Sequence, residues 1–345
     1  MTNRLQALVP AMFQPTDPVM AGEPSAANDR AQKLTAFTAV TSALLLVALI
    51  AVVVFVGGCG RDRPAAAAGG AGGPVEALDQ LIDDLHDNDL AAYARHALPP
   101  PLHARMTDAW ADGRTIWPLT ELPLDDRLPA FITVLAAPGS EKSLLAAYSR
   151  QFAGADRELR NAAATLGLFA AQYVSGAGEY SEAERAHYTR LIAALAQWGR
   201  QAPLGDVALA RAALPQLVAA ARLTGLAGGV EKFHAIGMDR SLGRLGPFFA
   251  RFKKVLVGYG LDIDSSLAGA SVALVEQTGD HARLSLDYTL AGQPVTAEVR
   301  VERRDGRWYL TDLLRHAEAA AGPAPPTGET VPPPSTEPLP ELSAR

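Results

Sequence analysis

An uncharged run from Leu34 to Gly60, LTAFTAVTSALLLVALIAVVVFVGGCG, constrains this chain more than any other feature. It is apolar on every face, which separates it from an amphipathic surface helix. About 20 such residues cross the hydrocarbon core of a bilayer as a helix. The run predicts one membrane segment over 34–58, preceded by a disordered leader over 1–33 that contains Pro10, Pro15, Pro18 and Pro24. Arg30 and Lys33 stand before it and Arg61 and Arg63 after it, so the positive-inside bias orients it only weakly. Everything beyond residue 60 is expected outside the cytoplasm, in the periplasm.

The only cysteine, Cys59, closes the tetrapeptide Val56-Gly57-Gly58-Cys59. This tetrapeptide resembles the bacterial lipobox, in which small residues precede a cysteine that is lipidated and becomes the new N-terminus. The resemblance implies lipidation at Cys59. It departs from the usual pattern at Val56, where leucine is common, and in an apolar run longer than the roughly 7–15 residues of a signal h-region. Two readings therefore stand side by side. The segment is an uncleaved transmembrane helix in the inner membrane, or it is a lipoprotein signal segment. In the second case Gly60, rather than aspartate, after the cysteine implies the outer membrane. One cysteine allows no intrachain disulfide, so the folded part depends on packing.

Residues 59–74, rich in Gly and Ala, read as a flexible linker, and 321–345, with eight prolines, as a disordered Pro-rich tail. Between them the pattern is α+β: a mostly helical extracytoplasmic body over 75–262, then a small antiparallel β-meander with a capping helix over 263–320. Helical stripes include Leu78, Leu81, Ile82 and Leu85, then Leu159, Ala163, Leu166, Ala170 and Tyr173. Ser181 and Glu184 form a capping box for the helix carrying Tyr188, Ile192, Leu195 and Trp198. Gly246-Pro247 is expected to open the last long helix. The period then changes to two. Leu284, Leu286, Tyr288 and Leu290 alternate with polar residues, as do Val295, Ala297, Val299 and Val301. Trp308 and Leu310 point inward and Tyr309 outward. Gly279-Asp280, Ala291-Gly292 and Asp305-Gly306 are the turn signals.

His86-Asp87-Asn88-Asp89-Leu90 and the closing hairpin Arg304-Asp305-Gly306-Arg307-Trp308-Tyr309-Leu310 resemble the two ends of secreted NTF2-like (cystatin-like) domains. That resemblance implies a curved antiparallel sheet wrapped round a helix to form an open pocket. The helical stretch in between is too long for a single domain of that kind.

The chain carries a formal net charge of −6, which argues against nucleic acid as a partner. Two Glu-x-x-His pairs, Glu184/His187 and Glu231/His234, place both side chains on one helix face, the spacing of di-iron bundle ligands. The further mid-helix glutamates such a site needs are not evident, and no cofactor is implied. Arg240, Arg244, Arg251, Lys253 and Lys254 flank an aromatic helix stripe, and the group, Arg251, Lys253 and Lys254 above all, forms a candidate basic surface for lipid headgroups or an anionic envelope polymer. No nucleophile motif is present. The expectation is a non-enzymatic, membrane-tethered envelope protein, held through residues 34–59, that binds a partner protein or an apolar ligand. The alternative is a metal-dependent periplasmic enzyme using the Glu-x-x-His pairs.

Overall fold

The structure is a computed structural model and describes residues 69–121, 127–176 and 179–323. The predicted membrane segment, Cys59, and the tail beyond 323 lie outside the described residues. Among the described residues no helix is long and apolar enough to cross a membrane. These residues form an α+β body of twelve helices with one four-stranded antiparallel sheet near the C-terminus.

Helices α1 (Pro74–His86), α2 (Leu90–Ala97) and α3 (Pro100–Ala111) come first. Proline opens α1 and α3, where its missing N–H leaves no bond unmade. Asp89 caps α2 by accepting from the Ala92 amide at 2.8 Å. Next come α4 (Leu128–Ala136), α5 (Ser140–Gln151), α6 (Asp156–Gly176) and α7 (Glu182–Gln201). The capping box at the start of α7 forms as expected: the Ser181 hydroxyl accepts from the Glu184 amide, and the Glu184 carboxylate accepts from the Ser181 amide. The remaining helices before the sheet are α8 (Val207–Thr224), α9 (Val230–Ile236), α10 (Met238–Gly258) and α11 (Ile263–Ala268).

Helix α10 starts at Met238, well before the expected start at Gly246-Pro247. Pro247 sits inside it and removes a single amide donor, while Leu242, Leu245, Phe248, Phe249 and Phe252 keep one face buried on both sides of the proline. Gly246 has a different job. A Cβ there would lie 2.4 Å from the Asn88 carbonyl oxygen, so glycine lets the turn between α1 and α2 approach the helix.

Strands β1 (Ser271–Thr278), β2 (His281–Leu290), β3 (Gln293–Arg304) and β4 (Arg307–Leu310) pair in chain order through two-residue turns. Ala291 and Gly292 have φ of 50° and 77°, and Asp305 and Gly306 have φ of 51° and 78°. Left-handed backbone at both central residues matches the twist of the flanking strands. Leu284, Leu286, Tyr288, Leu290, Val295, Ala297 and Val301 face inward, and α7 packs against β3. Helix α12 (Thr311–Ala321) follows the sheet. A single core of buried residues runs from Leu78 through Trp198 and Phe252 to Leu286 and Trp308, so helices and sheet share it.

Three expectations change at the edges of the body. The linker expected over 59–74 is built structure from residue 69. Ala71 pairs with Trp308 in both directions, at 3.3 and 2.9 Å, and covers the outer edge of β4. A Cβ on Gly69 would lie 2.1 Å from the Leu98 oxygen, and one on Gly70 2.6 Å from the Tyr309 ring. The glycines thus make a close-fitting wedge. That wedge buries Tyr309, expected outward, whose hydroxyl donates to the Gly69 oxygen at 2.8 Å. At the other end Ala321 is buried at the close of α12, with Arg114 donating to its carbonyl at 2.7 Å, so the tail does not begin there. Third, α6 buries only Val174, whereas Tyr173 of the expected stripe is exposed.

Candidate functional site

The two Glu-x-x-His pairs serve different neighbours. His187 meets the Tyr288 hydroxyl at 2.8 Å beneath the sheet, and burial, helped by Arg190, pushes its imidazole down to about 4, so it is neutral near pH 7. His234 Nδ1 lies 2.7 Å from the Trp110 oxygen, and Trp110 in turn donates from its indole to the Phe233 oxygen at 3.0 Å. Glu231 is exposed at the start of α9. Among the described residues no group of three or more His, Cys, Asp or Glu is arranged to hold a metal ion.

Glu184 belongs instead to a half-buried ionic cluster. The imidazole of His316, on α12, sits between two carboxylates, 2.8 Å from Glu121 and 3.3 Å from Glu184. Arg315 bonds Glu184 at 2.6 Å, and Asp312 accepts from Arg300 at 3.2 Å and from the Ser181 hydroxyl at 3.1 Å. Burial alone would lower the His316 pKa, but its bond to Glu121 and the charges of Glu121 and Glu184 outweigh this and raise it. Burial foremost raises the Glu184 pKa. Tyr180 and Tyr188 stack edge to face beside the cluster, and burial holds both phenols protonated. The arrangement joins α7, α12, β3 and the 3-10 turn Leu119–Glu121. It brings no nucleophile to the imidazole, and we read it as a proton-holding latch. Sequence reasoning missed it because Glu121 and His316 stand 195 residues apart and form no local motif.

The basic surface takes a different shape from the one expected. Lys253 is buried: its ammonium donates to the Leu85 and His86 carbonyls at 3.1 Å, closing the C-terminus of α1, and is paired with Asp264. Burial pulls its pKa below the usual lysine value, against the attraction of Asp264. It is therefore no part of a docking face. Arg251 and Lys254 are exposed, and Arg240 and Arg244 share their side of α10 by helical spacing. The stripe spans about 21 Å along the helix.

Helix α8 lies antiparallel beside it. Arg251 donates to the Gln216 side chain at 3.2 Å, and Arg244 approaches Gly225 at the far end. Arg222 donates to the Ala136 and Ala137 carbonyls at 3.3 and 3.0 Å, which ties α8 to α4. No carboxylate of the described residues lies within ion-pair distance of Arg222, Arg240, Arg244, Arg251 or Lys254. At the α9 end of this face three apolar side chains stand in solvent. Leu223 is 84% exposed, Val134 41% and Val230 36%. The Thr133 hydroxyl, accepting from the Gly228 and Gly229 amides at 3.1 and 3.0 Å, brings the last two segments together. Glu231 and Asp239 also lie near this end, Asp239 3.6 Å from His103.

Fold and surface together define a helical body closed by a C-terminal meander, with a cationic, apolar-tipped face on α8 and α10. No protein family, curated protein or solved structure matches the chain.

Proposed function

We propose that this chain is a membrane-tethered envelope protein whose body, held outside the cytoplasm by residues 34–59, binds an anionic partner rather than catalysing a reaction. The observation that carries this reading is the α8–α10 face. Its five cations lack carboxylate partners among the described residues, on a chain whose formal net charge is −6. Like-signed side chains kept together and uncompensated raise the local potential that draws an opposite charge. The groups that elsewhere look reactive, His187, Glu184 and His316, already have partners within the body. Protease added to intact spheroplasts tests the placement: the body should be degraded while a cytoplasmic marker survives. Protection of the body until the membrane is lysed would refute the tethered, outward-facing arrangement.

A further inference from the structure

We infer that the α8–α10 face docks on the surface of an anionic phospholipid bilayer, with Leu223 entering the headgroup region. The inference rests on the tether reading above and names the partner of that surface. Three observations carry it. The face presents Arg222, Arg240, Arg244, Arg251 and Lys254 without ion-pair partners among the described residues. Leu223, almost fully in solvent, follows Arg222 at one end of the face, with Val134 and Val230 toward the same end. An apolar tip at the end of a row of cations is poorly suited to a dry protein interface, whose centre is apolar. It suits an interface where the apolar tip passes a layer of negative headgroups that the cations neutralise.

The third observation is length. The described body starts at residue 69 and the apolar run ends at Gly58, so residues 59–68 are all that separate them. Ten residues reach at most about 36 Å even when fully extended. A body held that close to a bilayer meets it constantly, and the encounter is effectively intramolecular. A soluble anionic polymer lacks that advantage and has no use for an exposed leucine.

The test uses the full chain with Leu223→Trp, reconstituted into vesicles of phosphatidylglycerol or of phosphatidylcholine whose acyl chains are brominated. Bromine quenches an indole that enters the acyl boundary. The native Trp110, Trp117, Trp198 and Trp308 are all buried, so the wild-type chain supplies the baseline. The added indole should be quenched in phosphatidylglycerol and remain bright in phosphatidylcholine. Quenching should fall to baseline with R244E/R251E, and fall in about 1 M salt, where screening acts over about 3 Å. All of these positions are exposed, so the fold is not at stake. A chain that stays with the vesicles in high salt yet shows no quenching in phosphatidylglycerol overturns the inference and leaves the tether standing. Equal quenching in both lipids overturns it as well, since charge would then play no part. Capture of soluble polyglutamate without quenching replaces the bilayer by a polymer. Release of the chain from both kinds of vesicle in high salt overturns the tether reading, and this inference with it.

Discussion

Helix α6 should be the least securely held part of the body, and Gly167 the residue on which its attachment turns. An ideal Cβ on Gly167 would lie 2.5 Å from the Ala196 Cβ, and one on Gly199 2.9 Å from the Ala163 Cβ. Carbon atoms in good contact sit about 3.5–4.0 Å apart, so Gly167→Ala forces α6 and α7 apart by about 1 Å locally. Alanine returns about 1 kcal/mol of helix propensity, while overpacking costs about 1–3 kcal/mol, leaving a net loss of about 0–2 kcal/mol. Gly167→Leu adds three further carbons to a gap with no room for the first, so the loss should reach about 3 kcal/mol. Because α6 buries only Val174, that loss should open α6 locally and spare the common core. Hydrogen exchange of residues 156–176 reads the local opening, and urea unfolding followed by the buried tryptophans reads the global one. G167L should lose exchange protection in α6 with little change in the global midpoint. Leu168→Gln is the control: Leu168 is 74% exposed, so its loss should stay within about 0.5 kcal/mol. Wild-type protection of α6 in G167L, or equal damage from L168Q, would refute the close-packed seam.

Trp308→Ala should cost about 3–5 kcal/mol in urea unfolding, because the ring is buried on the inner face of the sheet and its backbone pairs with Ala71; a loss under about 1 kcal/mol would mean that the wedge of residues 69–71 is not closed over β4. The latch makes stability pH-dependent. The folded pKa of His316 is raised above the ordinary imidazole value of 6.5, so its contribution is complete below that value and is lost as pH rises through the folded pKa. Glu184, raised from 4.5, shifts stability in the same direction at lower pH. The urea-midpoint gap between wild type and His316→Gln should therefore narrow as pH rises above the ordinary imidazole value of about 6.5, and a constant gap would show that the imidazole does not bind its extra proton there. If the lipobox reading holds, the membrane-extracted chain should have a mass that begins at Cys59 with acyl groups added, and Cys59→Ser should block processing. An unlipidated full-length mass would leave the spanning helix.

The sequence made the meander legible because its signals are local. Alternation at Leu284–Leu290 and Val295–Val301, with Asp-Gly and Ala-Gly between strands, depends on neighbours two residues away. Helix caps such as Ser181 with Glu184 are local in the same way. What stayed hidden depends on distant partners. Gly69 and Gly70 carry the composition of a spacer, and only the carbonyl of Leu98 and the ring of Tyr309 show that they are a wedge. Lys253 looks like its neighbour Lys254, yet a difference of one position turns it about 100° round the helix, into the C-terminus of α1. Pro247 looks like a helix start because the buried faces before and after it belong to one core that the local pattern does not reveal. The basic face was partly visible: Arg240, Arg244, Arg251 and Lys254 were found, while Arg222 and Leu223 joined them only through the antiparallel packing of α8 on α10.

The outer face of the sheet supplies an internal comparison for that surface. There Arg283 bonds Glu276 at 2.7 Å and Glu298 at 3.1 Å, and Arg304 bonds Glu302 at 2.6 Å and also Glu318. Exposed pairs of this kind contribute about 0–1 kcal/mol each, so the pairing adds little to stability. Its main effect is to cancel the field of the arginines locally. On α8 and α10 the same side-chain chemistry is left uncancelled over a comparable length of surface, although the chain has acidic residues to spare. Stability gives no reason for the difference, since an unpaired exposed arginine costs almost nothing. The field gives one. Paired, the sheet face presents an anion with no net attraction, whereas the helical face attracts it along its whole length and offers Leu223 a short apolar step beyond the charges. A surface of that kind, on a body that the proposed tether holds within about 36 Å of a bilayer, is where the charge of the membrane would be felt first.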